Sequence, residues 1–158
     1  MSRILGWLLL VFASYSVTAG ENKPVTLKLR DLNGDKVTLS DYRGRPVVVN
    51  FWATWCDVCT KEMKYFVRAQ QQFGDKVAVV TVSNELPDVA ASYFRTWNIG
   101  LPLVEDLDGA ISRIYSIAKL PDTLVLDPFG RVSYVSVGGL SWDELQSAID
   151  RAAQTSSR

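Results

Sequence analysis

Cys56 and Cys59 are the two cysteines of the chain, and they stand three positions apart in the stretch WATWCDVC. They fall where a buried strand should end and a helix begin. Pro46 to Trp52 (PVVVNFW) is β-branched and apolar on both faces, as in a strand covered by helices on both sides. From Cys56 onward, Cys59, Met63, Phe66, Val67 and Phe73 fall at helical spacing. A thiol at such a junction meets unpaired backbone N–H groups and the positive end of the helix dipole, and both favour the thiolate. Cys56 is thereby placed as an exposed nucleophile able to form a mixed disulfide. Cys59, one helical turn on, is placed to attack back and release the reduced substrate.

Two other uses of the pair are open at this stage. As a staple it would close a loop of about four residues, worth roughly 2 kcal/mol, less than joining distant segments would give. As a metal pair it could hold Cu(I), a soft ion. Composition narrows the rest. The chain has no histidine, which excludes Ser-His-Asp and Cys-His catalysis and every metal site that needs imidazole. Two thiols cannot build a four-thiolate zinc or iron–sulfur site. The 17 basic and 17 acidic side chains balance, and no basic stripe marks a nucleic-acid surface. Dithiol chemistry needs no organic cofactor, so no cofactor and no metal are expected.

At 158 residues, 47% of them hydrophobic, the chain suits one packed domain. Residues 1–19 read as a leader: Arg3 is followed by an apolar run to Ala13, and Val17-Thr18-Ala19 has the small residues signal peptidase prefers. A cleaved signal peptide is expected, with an uncleaved membrane anchor as the alternative. Residues 20–158 are then the domain. Val25, Leu27 and Leu29 alternate with polar residues, Asn33-Gly34-Asp35 reads as a turn and Val37 to Leu39 as its return strand, an N-terminal β-hairpin. Ser40 is placed to cap a single helical turn that Gly44 ends. After the cysteine helix come a strand within Lys76 to Ser83, a helix from about Pro87 to Trp97, a short extended piece at Pro102 to Val104 and a short helix from Gly109 to Tyr115. Strands over Thr123 to Leu126 and Val132 to Val137 flank the turn Asp127-Pro128-Phe129-Gly130. Ser141 and Glu144 have capping-box spacing for a last helix to about Ala153. Crossover helices imply parallel pairing early and the tight turn antiparallel pairing late. The expected fold is α/β and thioredoxin-like: a mixed central sheet flanked by helices, with the hairpin added.

LSDYRGRPVVVNFWATWC, followed by xxC and Glu62-Met63, closely resembles the TlpA/ResA/DsbE-like branch of the thioredoxin superfamily. The resemblance continues through LPDTLVLDPFGRV and covers Val25 to about Ala153. It implies an exported, periplasmic or membrane-anchored thiol–disulfide oxidoreductase with a redox disulfide Cys56–Cys59, Cys56 as nucleophile and Cys59 as resolving thiol. It makes Pro121 the cis-proline, with the backbone of Leu120 facing the disulfide to pair with a substrate strand. It matches Trp55 to the aromatic beside the active site, either a substrate platform or a core residue, and leaves Trp52 to the core. Asn50 stands where cytoplasmic thioredoxins carry a buried acid. The implied partners are proteins with cysteine pairs and a membrane or periplasmic thiol electron donor, in cytochrome c maturation or related assembly.

The motif's interior departs from that pattern. Val58 replaces the usual proline, which should loosen the first helical turn. Asp57 beside Cys56 disfavours its thiolate. A thiol of higher pKa implies a more stable disulfide and so a reductant. An oxidase or isomerase of the same fold is the alternative direction, and Cu(I) handling a different class. Glu62, one turn beyond Cys59, reads more simply as a solvated helix charge than as a proton shuttle. Glu85 is a weaker shuttle candidate.

Overall fold

The computed structural model describes residues 28–30 and 36–155. The leader segment and the turn Asn33-Gly34-Asp35 lie outside the described residues. On either side of that turn, β1 (Lys28–Arg30) and β2 (Lys36–Thr38) pair antiparallel. A 3₁₀ turn over Leu39–Tyr42 follows. Its cap is Thr38 rather than Ser40: the Thr38 N–H donates to Asp41 Oδ2 at 2.9 Å, so a carboxylate three residues on captures the earlier position.

The main sheet contains β3 (Val47–Trp52), β4 (Ala78–Ser83), β5 (Leu103–Glu105), β6 (Asp122–Leu126) and β7 (Val132–Val137), in the order β5-β4-β3-β6-β7. β3 runs parallel to β4, and β4 to β5, because α1 (Asp57–Phe73) and α2 (Pro87–Thr96) cross over between them. β6 turns back antiparallel to β3, and β7 to β6, through a turn closed by the Gly130 N–H on the Asp127 carbonyl at 2.8 Å. α3 (Ala110–Ile114) and α4 (Trp142–Gln154) complete the helices. α4 starts with the expected capping box, Ser141 Oγ accepting from the Glu144 N–H at 3.3 Å.

β3 is central, and all six of its residues are buried, as its two-faced apolar run requires. Val48 and Trp52 face a core built by Met63 and Phe66 of α1, Phe94 of α2, and Leu145 and Ile149 of α4. Val47, Val49 and Phe51 face a second core with Leu39, Val80, Val82 and Ile111. Each large buried side chain contributes about 1.5–3 kcal/mol, so the strand that carries the cysteine turn is firmly held from both faces.

Candidate active site

β3 delivers the chain to the site through Ala53-Thr54-Trp55. The Cys56 N–H closes a tight turn onto the Ala53 carbonyl at 3.2 Å. Cys56 is then the N-cap of α1, its φ of −92° and ψ of 102° still extended, and its Sγ accepts from the Cys59 N–H at 3.2 Å. The two cysteines are joined as a disulfide with S–S of 2.07 Å and Cα–Cα of 5.2 Å. Cys56 is largely buried at 8% exposure, not exposed as the sequence suggested, yet it is the more accessible of the pair, since Cys59 has none. When the bond opens, the Cys59 N–H that caps onto Cys56 Sγ, together with the helix dipole, stabilises negative charge there.

The turn is braced from β4. Both carboxylate oxygens of Glu85, just beyond that strand, are taken by Thr54: Oε2 accepts from its N–H and Oε1 from its hydroxyl, each at 2.7 Å. Glu85 therefore holds the approach to Cys56. Trp52 is core, stacked on Phe94 with ring centroids 5.3 Å apart. Trp55, which the sequence left open, is 69% exposed and stands beside Cys56 as surface. Asp57 and Val58 are exposed too.

Glu62 overturns its simpler reading. It is 3% exposed, not solvated. Its Oε2 accepts from the Leu140 N–H at 3.0 Å, and its Oε1 from Asn50 Nδ2 at 3.4 Å. Asn50, wholly buried on β3, also donates to Thr123 Oγ1 at 3.1 Å. Burial pushes the Glu62 carboxyl up to about 7, against the opposing pull of the Leu140 N–H and the Asn50 amide. Periodicity could not reveal this, because the covering segment arrives from Gly139 to Ser141, far along the chain.

The Leu120–Pro121 peptide bond is cis. Asp122 pairs with Phe51, so Pro121 lies level with the end of β3, the same end as Cys56. Leu120 is partly buried and packs against both cores. Asp122, which sequence reasoning passed over, is 4% exposed, and its Oδ1 has no hydrogen-bond partner. Burial raises its carboxyl above the usual range. Its one signal at the level of sequence is a carboxylate at the start of a buried strand. Among the described residues no cluster of three or more His, Cys, Asp or Glu could hold a metal ion.

Residues 21–135 match the AhpC/TSA family. The protein belongs to that family. It is 31% identical over 154 residues to the thioredoxin-like protein YneN of Bacillus subtilis, covering 92% of this chain and 88% of that one. It is 31% identical over 128 residues to the thiol-disulfide oxidoreductase ResA of the same organism, covering 80% of this chain and 71% of ResA. A putative thiol:disulfide interchange protein DsbE from Chlorobium tepidum superposes with a TM-score of 0.75 at 25% identity, covering 82% of this chain and 94% of that one. The AhpC/TSA protein described here is thus a thiol–disulfide oxidoreductase of the ResA/DsbE kind, with Cys56–Cys59 as its CxxC pair.

Proposed function

We propose that the protein is exported and reduces disulfides in other exported proteins, as in cytochrome c maturation or a related assembly. Its leader-like residues 1–19 support export. The single observation that carries the mechanism is the disulfide at the head of α1, with Cys56 the more accessible of its two cysteines and the buried Glu62 one turn behind Cys59.

In the reduced protein the Cys56 thiolate attacks a substrate disulfide. One sulfur leaves as a substrate thiolate, and the other stays bound to Cys56. The substrate strand lies along Leu120, ahead of Pro121, with Trp55 as an exposed platform. Cys59 gives its proton to the Glu62 carboxylate and attacks Cys56 Sγ. The second substrate thiolate departs, the Cys56–Cys59 disulfide forms, and two electrons have passed to the substrate. A carboxyl near 7 suits this work, since it both accepts and returns a proton at neutral pH. Asn50 cannot take that proton, but it orients the carboxylate that does. A thiol electron donor outside the chain restores the dithiol.

Two measurements test this reading. Cys59→Ser should trap mixed disulfides through Cys56, and Cys56→Ser should trap none. Failure of Cys59→Ser to capture any partner, together with a redox-inactive wild type, would sink it. Equilibration with glutathione should give a potential below about −180 mV, and a higher value would make the protein an oxidant.

A further inference from the structure

Two adjacent glycines end β7, and they are there for different reasons. Gly138 has φ of 93°, a backbone conformation that L side chains rarely adopt. Gly139 has no such conformation, so its backbone would accept an alanine. What forbids one is a neighbour: a Cβ on residue 139 would stand 2.6 Å from Val58 Cγ1 and 3.6 Å from Glu62 Oε2. The first distance is far inside van der Waals contact. Val58 Cγ1 sits one bond from a β-branched Cβ, so the contact cannot be relieved by bending a long flexible chain and either the Val58 rotamer or the segment must give.

We infer that Gly139 is a positioning residue matched to Val58. Its missing Cβ lets the segment after β7 close on the first turn of α1 and seat the Leu140 N–H on Glu62. The inference rests on the proposed proton role of Glu62 for its consequence in the reaction, though not for its geometry. Any side chain at 139 must push the segment outward, and the 3.0 Å bond from Leu140 to Glu62 is the first to break. Gly139 and Val58 also wall a cleft of about 480 Å³ beside Glu62, open to solvent. The other titratable groups lining it are Lys61, Lys64 and Tyr65 of α1, and the segment after β7 adds only the uncharged Leu140 and Ser141. Lys64 rests over the Tyr65 ring, 5.1 Å from its centroid. β3 and β6 contribute the uncharged Asn50 and Thr123. With no cation paired to Glu62 among the described residues, the Leu140 N–H is the largest influence holding the carboxylate form.

The test uses the full-length oxidised protein in three forms: wild type, Gly139→Ala and Val58→Ala/Gly139→Ala. Hydrogen exchange of the Leu140 amide reads the geometry. Carbon-13 NMR of labelled glutamate, assigned by the signal missing in Glu62→Gln, reads the titration. Gly139→Ala should speed Leu140 exchange and raise the Glu62 midpoint by about one pH unit, a tenfold fall in the ratio of ionised to protonated carboxyl at any fixed pH. The double variant should return both toward wild type, because removing the Val58 methyls vacates the contested space. Unchanged exchange and midpoint in Gly139→Ala would overturn the inference. So would a double variant that is not restored, or that fails to fold. If the shifts and their rescue occur but Glu62→Gln leaves the pH profile of disulfide reduction untouched, the positioning stands and the proposed proton role fails instead.

Discussion

Replacing Glu62 by glutamine should make stability less dependent on pH, and the size of the change follows from the burial of one carboxyl. In the folded protein its pKa rises from 4.5 to about 7. Between those values the native state holds a proton that the unfolded chain has released. Native stability therefore falls as pH rises through this window and is lowest, on this account, above pH 7. A shift of that size is worth about 3 kcal/mol at 1.36 kcal/mol per unit, and about 2 once water reaching the carboxyl through the cleft is allowed for. Glutamine keeps the shape and an acceptor for the Leu140 N–H but carries no charge to bury. The useful quantity is the stability difference between variant and wild type, measured by urea unfolding of the oxidised proteins at pH 5 and pH 8.5. Moving from the lower to the higher pH should shift it by about 2 kcal/mol in favour of the variant. Interactions that the substitution weakens equally at both pH values cancel. So do groups common to both proteins, among them the raised Asp122 and the lowered Asp41 and Glu144. Parallel pH dependence of the two proteins would show that Glu62 titrates as an ordinary surface carboxylate, and the reasoning would fail.

Glu85→Ala removes both acceptors of Thr54 and should cost about 2 kcal/mol in urea unfolding while speeding amide exchange at Thr54; equal exchange would deny the brace. Trp55→Ala, at an exposed position, should change stability by less than about 0.5 kcal/mol yet slow reduction of a protein disulfide, and unchanged turnover would remove it from the substrate surface. Asp106→Ala should cost about 2–4 kcal/mol by thermal or urea unfolding, because this buried carboxylate accepts from the Ile111 and Ser112 N–H groups, at 2.8 and 2.9 Å, and so anchors α3. Ser141→Ala should cost about 1 kcal/mol through loss of the capping box of α4.

What was legible in the sequence is what short-range physics writes there. The two-faced run of β3, the helical spacing after Cys56, Pro87 at the first turn of α2, the Asp127–Gly130 turn and the Ser141–Glu144 box each depend on residues within a turn or two of one another. The strand–helix junction marked Cys56 and Cys59 as a working pair, and the family resemblance made them a redox disulfide. The directions of pairing were legible as well, because crossover helices imply parallel neighbours and tight turns antiparallel ones, while the order of the strands across the sheet was not. Capping by Thr38 in place of Ser40 shows how narrow the margin is where two nearby hydroxyl residues compete.

The environment of the site was decided by the tertiary structure. Whether Glu62 is solvated depends on a segment more than seventy residues away folding over it, and whether Trp55 is surface or core depends on which way the braced turn faces. Glu85, Asp122 and Gly139 owe their parts to strands and loops that meet only in the folded sheet. Local spacing determines which atoms can react with one another. Burial and the hydrogen bonds that come with it determine their protonation, and those belong to the whole fold.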